Sequence, residues 1–218
     1  MPTIAIIGAG PGLGLSIAKV FGAHGYQVAL VSRSKDKLDT LVAQLAEAGI
    51  TAAGFPADVS DRPALTAALE QAVARFGAID VLEYSPYSGL DRVNPADVTV
   101  DNLQPDIEHL LHGAVTATQT VLPAMLQTGT GTLLYTTGGG AITPYPMLAT
   151  TNAAQAALRN WVHNLHNTLA DQGVHAATVA INLFIGASAP KASRTPPRTT
   201  SRRSTGTCTP AATGRNTS

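Results

Sequence analysis

Thr3-Ile4-Ala5-Ile6-Ile7, running straight into Gly8-Ala9-Gly10-Pro11-Gly12-Leu13-Gly14, is the stretch whose reading decides the fold. Five apolar or β-compatible residues make a short strand, and the helical pattern of Leu13–His24 follows the glycines at once. Glycines in such a strand-to-helix turn let the backbone bend tightly and come close to a pyrophosphate, whose charge meets the free amides of the helix N-terminus. The same glycines scattered elsewhere would carry little; between a strand and a helix at the start of a chain they point to a dinucleotide. The phosphate loop of an ATPase or GTPase is excluded, because no Lys-Ser/Thr pair follows.

Working outward, the alternation continues. Gln27–Ser32 reads as a second strand and Lys35–Ala48 as a helix with Leu38, Leu41, Val42 and Leu45 on one face. Ile50–Pro56 is a strand, and Ser60 or Asp61 starts a helix running to about Phe76. Ile79–Tyr84 and Gly131–Thr136 are strands around a long helix over Asn102–Leu126; Thr150–Ala170 is a second long helix before a strand at His175–Ile181. Strands separated by helices of this length predict an α/β fold: a three-layer, doubly wound parallel sheet with helices on both faces.

The second strand ends in Ser32-Arg33-Ser34-Lys35. A site preferring NAD usually places a carboxylate there for the ribose hydroxyls. None is present, whereas Arg33 flanked by Ser32 and Ser34 suits a 2′-phosphate, so NADP is expected over the alternative, NAD. Asp58-Val59, just past the third strand, falls where the adenine would lie; Asp58 is equally suited to anchoring its own loop.

Composition narrows the function classes. The 218 residues carry 14 basic and 14 acidic side chains. Zero net charge does not suit a general nucleic-acid binder. Cys208 is the one cysteine, so neither a disulfide framework nor a thiolate metal cluster is expected. His109 and His112, like His163 and His166, are spaced i,i+3, but no carboxylate completes a ligand set; no metal is expected, and these histidines read as solvated or interfacial. No apolar run long enough to span a membrane and no signal-peptide pattern occur, so a cytoplasmic location is expected.

The charge is unevenly spread. Residues 1–186 hold all 14 acidic residues and 8 basic ones, while residues 187–218 hold 6 basic residues and no acidic one. Of those last 32 residues 17 are Ser, Thr or Pro, and none is Leu, Ile, Val, Met or aromatic. Such a segment cannot repay the entropy of ordering by apolar burial. The division expected is a dinucleotide-binding domain over 1–186 and a disordered tail over 187–218. The abrupt change in composition matches a GC-rich frame read out of register, and a frameshifted or truncated gene is the explanation it suggests.

Together these motifs resemble the short-chain dehydrogenase/reductase family over roughly residues 3–186. Gly8, Gly12 and Gly14 match its TGxxxGxG loop, with Ile7 where Thr often stands; Ala57-Asp58-Val59 matches its adenine-contacting segment, and Gln119–Met125 the end of its central helix. The resemblance implies a Rossmann fold, here without its last strand, and NAD(P)-dependent hydride transfer to or from a carbonyl or alcohol. It also implies a homodimer or homotetramer built through the helices near 102–126 and 150–170. Cofactor contacts are expected from Gly8, Gly10, Pro11, Gly12, Leu13, Gly14, Ser32, Arg33, Ser34, Asp58, Val59 and Ser85. The family's catalytic Asn, Ser, Tyr and Lys positions fall on Leu110, Gly138, Thr151 and Gln155. An alkyl hydroxyl is a far weaker acid than a phenol with a pKa of about 10, and Gln155 has no charge to depress a neighbour. The family's NNAG segment is Tyr84-Ser85-Pro86-Tyr87 here. Catalytic candidates are therefore Thr151, Gln155 and, as a replacement acid beyond a strand end, Tyr84 (or Tyr87). A non-catalytic NAD(P)-binding or scaffold protein of the same fold stands as the alternative.

Overall fold

The computed structural model describes residues 1–87, 89 and 91–182. The expected tail over 187–218, and with it the frameshift, lies outside the described residues.

Six strands form one parallel sheet among these residues: β1 (Thr3–Ile7), β2 (Gln27–Ser32), β3 (Ala52–Pro56), β4 (Val81–Tyr84), β5 (Gly131–Gly138) and β6 (Val174–Ile181). Their order is β3-β2-β1-β4-β5-β6. The chain steps outward from β1 through β2 to β3, then returns to the other side of β1 for β4. Strand order reverses between β1 and β4, and in doubly wound sheets ligands bind in the crevice beyond the strand ends at that reversal. The expected three-layer fold is present.

Both faces of the centre are covered, which is why β1 is buried along its whole length. On one face α1 (Leu13–Ala23) and α2 (Lys35–Glu47) cover Ile4, Ile6, Val28 and Leu30. On the other, α3 (Arg62–Phe76), α5 (Gly113–Thr128) and α6 (Ala149–Leu169) cover Ala5, Ile7, Val31 and Leu82. Fully burying a Leu or Ile contributes about 2 kcal/mol, so this double cover is what holds the central strands in place. Local signals fix the helix starts. Ser34 caps α2, accepting from the Lys37 amide, and of the two residues weighed for α3 it is Asp61 that caps it, accepting from the Ala64 amide.

The long helix expected over Asn102–Leu126 is not uniform. α4 (Val100–Asp106) passes into a π-helical segment, Ile107–His112, before α5. Pro105 inside α4 removes a donor just upstream of the widened turn. α4 itself starts on a capping box between Thr99 and Asn102. Other boundaries shift by one or two residues, as at β3, which begins at Ala52, and β5, which runs on to Gly138. Among the described residues β6 is an edge strand, and Val179 on it is 51% exposed.

Candidate functional site

At the C-terminal end of β1 the chain turns at Gly8 with φ of 89°. A Cβ on Gly8 would overlap the Pro86 Cα and sit 2.8 Å from the Ser85 carbonyl carbon, so only glycine lets this turn lie against the β4 exit. The Gly8 and Ala9 amides both donate to the Val31 carbonyl, tying the turn to β2. Gly14 is close-packed as well: its Cβ would be 3.0 Å from the Ala9 Cα. Gly12 caps α1 without any side-chain hydrogen bond, and no acidic residue stands in the first turn. The first amides of a helix have no intrahelical partner. Here nothing from a side chain competes for them, which is the arrangement an anion needs.

A crevice of about 330 Å³ opens above this turn. Its walls bring together Gly8, Gly10 and Pro11 from the turn, Ser32, Arg33 and Ser34 from the β2 exit, and Asp58 and Val59 from the β3 exit. Of the cofactor contacts expected from sequence, these eight therefore share one cleft. Gly12, Leu13, Gly14 and Ser85 do not line it; they form the helix start and the β4 exit behind it. Two of the eight already have local work. Asp58 Oδ1 accepts from the Ser60 amide at 2.9 Å, and Ser34 caps α2.

The catalytic candidates are arranged differently. Tyr84 does not point into the cleft, and its expected role as a replacement acid is corrected. Its side chain is 0% exposed, packed in the core, and its phenol donates to the His109 carbonyl at 2.5 Å. The hydroxyl occupies space left by Gly113, whose Cβ would overlap it. Burial pushes the phenol well above its usual range, so it is a poor proton donor. The physical reason lies in strand parity: Tyr84 shares a face with Leu82, beneath the helices, and Tyr135 and Trp161 continue the aromatic row behind it. Tyr87, 71% exposed, does line the crevice.

Thr151 and Gln155 stand on the first turns of α6, and neither lines the crevice. Thr151 Oγ1 donates to Asp106 Oδ2 at 3.1 Å, and Gln155 Oε1 accepts from the Gly138 amide at 2.9 Å. Both polar groups are thus engaged with protein neighbours.

Two residues were missed at the sequence level. Glu83, on β4 between Leu82 and Tyr84, is 2% exposed, with Ser85 donating to Oε2 at 2.8 Å and Thr136 to Oε1 at 3.0 Å. Burial raises its carboxyl to about 7 against those two donors, which pull the other way. The signal was available: a lone acid inside an apolar strand of a sheet covered on both faces. His109, read from its spacing as solvated or interfacial, is 8% exposed and lines the crevice. A separate groove of about 270 Å³, including Leu111, Val115 and Trp161, runs along α5 and α6. Among the described residues no cluster of three His, Cys, Asp or Glu is placed to hold a metal, and no helix is long and apolar enough to cross a membrane.

Comparison with known proteins agrees with this geometry. A fatty acyl-CoA reductase of Mycobacterium tuberculosis is 29% identical over 181 residues, covering 81% of this chain and 60% of that protein, so the chain spans about three fifths of this relative's length. The structure superposes on L-sorbose reductase from Gluconobacter frateurii, solved with NADPH and L-sorbose, with a TM-score of 0.79 at 22% identity, covering 84% of this chain and 70% of the other. It superposes on a single-site variant of actinorhodin polyketide ketoreductase, solved with NADPH, with a TM-score of 0.77 at 28% identity, over 82% and 69% of the two chains. The short chain dehydrogenase pattern matches residues 2–192, nearly the whole described region, and the chain belongs to that family.

Proposed function

We propose that this chain binds NADP(H) in the crevice at the β1–β4 strand reversal and transfers hydride between it and a small carbonyl or alcohol. The observation that carries the reading is the convergence of the glycine turn and Arg33 on one cleft, with the start of α1, free of any side-chain cap, directly behind it. The residues present fit the cofactor: the turn excludes any side chain at Gly8, and the α1 amides suit the pyrophosphate. Arg33 supplies the fixed positive fork that a 2′-phosphate needs, and no carboxylate stands at the β2 exit to favour NAD. The ketoreductase and sorbose reductase that share this fold were both solved with NADPH. When bound, the cofactor supplies the hydride; the chain binds and orients it. Thr151 and Gln155 stand at the positions that the family resemblance assigns to catalysis. With Tyr84 withdrawn into the core, the proton that accompanies hydride comes from water in the cleft. The exposed faces of α5 and α6, with their apolar groove, support pairing of two copies.

A specific observation favours a second reading, a cofactor-binding protein without turnover. Thr151 bonds Asp106 and Gln155 bonds the Gly138 amide, so both catalytic positions are occupied with internal contacts. One experiment separates the two. Calorimetric titration with NADPH and NADH comes first, then NADPH oxidation in the presence of a panel of aldehydes, ketones and quinones. Tight NADPH binding with turnover supports the enzyme, and tight binding without turnover supports the second reading. A folded protein that binds neither nucleotide would refute both.

A further inference from the structure

We infer that His109 contacts the purine base of the bound dinucleotide, making it a residue that determines specificity in the adenosine half of the crevice. This rests on the crevice being the dinucleotide site.

The geometry converges on that one side chain. His109 sits in the π-helical segment Ile107–His112, directly after α4. Only 8% of it is exposed, yet it forms part of the same wall as Arg33, Asp58 and Val59, which come from the β2 and β3 exits. That side of the strand reversal receives the adenosine half, because β2 and β3 lie on it. The residue is also held firmly. Its carbonyl accepts the Tyr84 phenol, and π segments of this kind recur where a helix must aim a functional side chain.

The imidazole is nevertheless unsatisfied. Nε2 is buried and has no hydrogen-bond partner among the described residues. A buried polar atom left without a partner is costly, which makes it a place to expect a ligand. Desolvation is the largest influence on the ring and lowers its pKa; Arg33 lowers it further, while Asp58 and Asp106 oppose this. The ring is therefore neutral, with one donor and one acceptor nitrogen. A neutral imidazole is poorly suited to the 2′-phosphate, which Arg33 serves, and well suited to a base edge that offers an amine donor beside a ring-nitrogen acceptor.

The test uses the full chain and three probes: 2′,5′-ADP, which lacks the nicotinamide half, 5′-ADP, which lacks the 2′-phosphate as well, and the hypoxanthine analogue of NADPH, in which the adenine amine is replaced by a carbonyl. For His109→Leu, affinity for 2′,5′-ADP should fall about tenfold, the scale of one lost hydrogen bond in a buried site. The wild-type preference for NADPH over its hypoxanthine analogue should fall by a similar factor. His109→Gln, with its own donor and acceptor, should keep most of both. A purely structural role would not move base discrimination. A folded H109L protein with wild-type affinity and wild-type base discrimination overturns the proposal. If H109L fails to unfold cooperatively, H109Q decides it: a variant that restores neither affinity nor discrimination counts against base contact. Failure of the wild type to bind either 2′,5′-ADP or 5′-ADP would overturn the dinucleotide reading itself, and this proposal with it; binding of 5′-ADP alone would overturn only the preference for NADP.

Discussion

Glu83→Gln tests whether the centre of the sheet holds a proton. Glu83 is 2% exposed and its carboxyl is raised from 4.5 to about 7, burial being the largest cause. A displacement of that size corresponds to about 3 kcal/mol of linkage between protonation and folding. The sign follows from where the protons sit. Between 4.5 and about 7 the folded chain keeps the Glu83 proton while the unfolded chain has released it, so rising pH favours unfolding. The stability contributed by protonated Glu83 is complete below 4.5, is lost as pH rises to about 7, and changes no further above that. Glutamine cannot titrate. Its oxygen can accept from one of the Ser85 and Thr136 hydroxyls and its amide can donate to the other, so the local bonds survive. Urea unfolding of both proteins from pH 4.5 to 8 should give curves that nearly meet at the acid end and separate by about 3 kcal/mol at pH 8, with E83Q the more stable. Parallel curves would refute the reasoning, because they would mean that Glu83 titrates normally in the folded chain.

Replacing Arg33 with Ala should weaken NADPH by about tenfold to a hundredfold, the scale of charge-assisted hydrogen bonds, while leaving NADH nearly unchanged. Equal losses in paired titrations would remove Arg33 from phosphate recognition. Tyr84→Phe deletes the bond to the His109 carbonyl without exposing the ring. It should cost about 1 kcal/mol in denaturant unfolding and leave the pH profile of any turnover in place; loss of turnover in a folded Y84F protein would return Tyr84 to the mechanism.

The fold was legible because its signals were local and redundant. The Thr3–Gly14 stretch set strand, turn and helix in one reading, and the i,i+3,i+7 spacing of Leu38, Leu41 and Leu45 matched the face that α2 buries. The cleft was legible where chain ends converge, at Arg33 and Asp58-Val59. What escaped were properties of side, not of position. Proximity to a strand end said that Tyr84 was near the crevice, but the period of two along β4 placed it beneath the helices and put Glu83 on the opposite face. His109 escaped because a reading at 3.6 residues per turn breaks down across a π segment. The widened turn lets His109 and Leu110 both face inward, so the spacing of His109 and His112 no longer reports a shared solvent face.

The crevice and the positions that stand where the family keeps its catalytic residues contrast chemically. In the crevice Arg33 and His109 retain binding capacity; outside it, Thr151 bonds Asp106 and Gln155 bonds the Gly138 amide. That closure predicts that single substitutions there do little. A Cβ at Gly138 would lie 3.1 Å from Gln155 Oε1, so Gly138→Ser crowds Gln155 unless that side chain also changes. Gln155→Lys alone would replace the acceptor of the Gly138 amide by an ammonium, with no phenol to activate. Changing Gly138→Ser, Thr151→Tyr and Gln155→Lys together removes the Gln155 oxygen that a side chain at 138 would meet and supplies an acid with a neighbouring cation to depress it. General acid–base catalysis of this kind is worth about a hundredfold to ten-thousandfold. The triple variant should therefore raise NADPH-dependent carbonyl reduction by at least about a hundredfold over the wild type, with each single variant near the starting rate. A folded, NADPH-binding triple variant with no gain would show that these three positions do not converge on the reacting carbonyl.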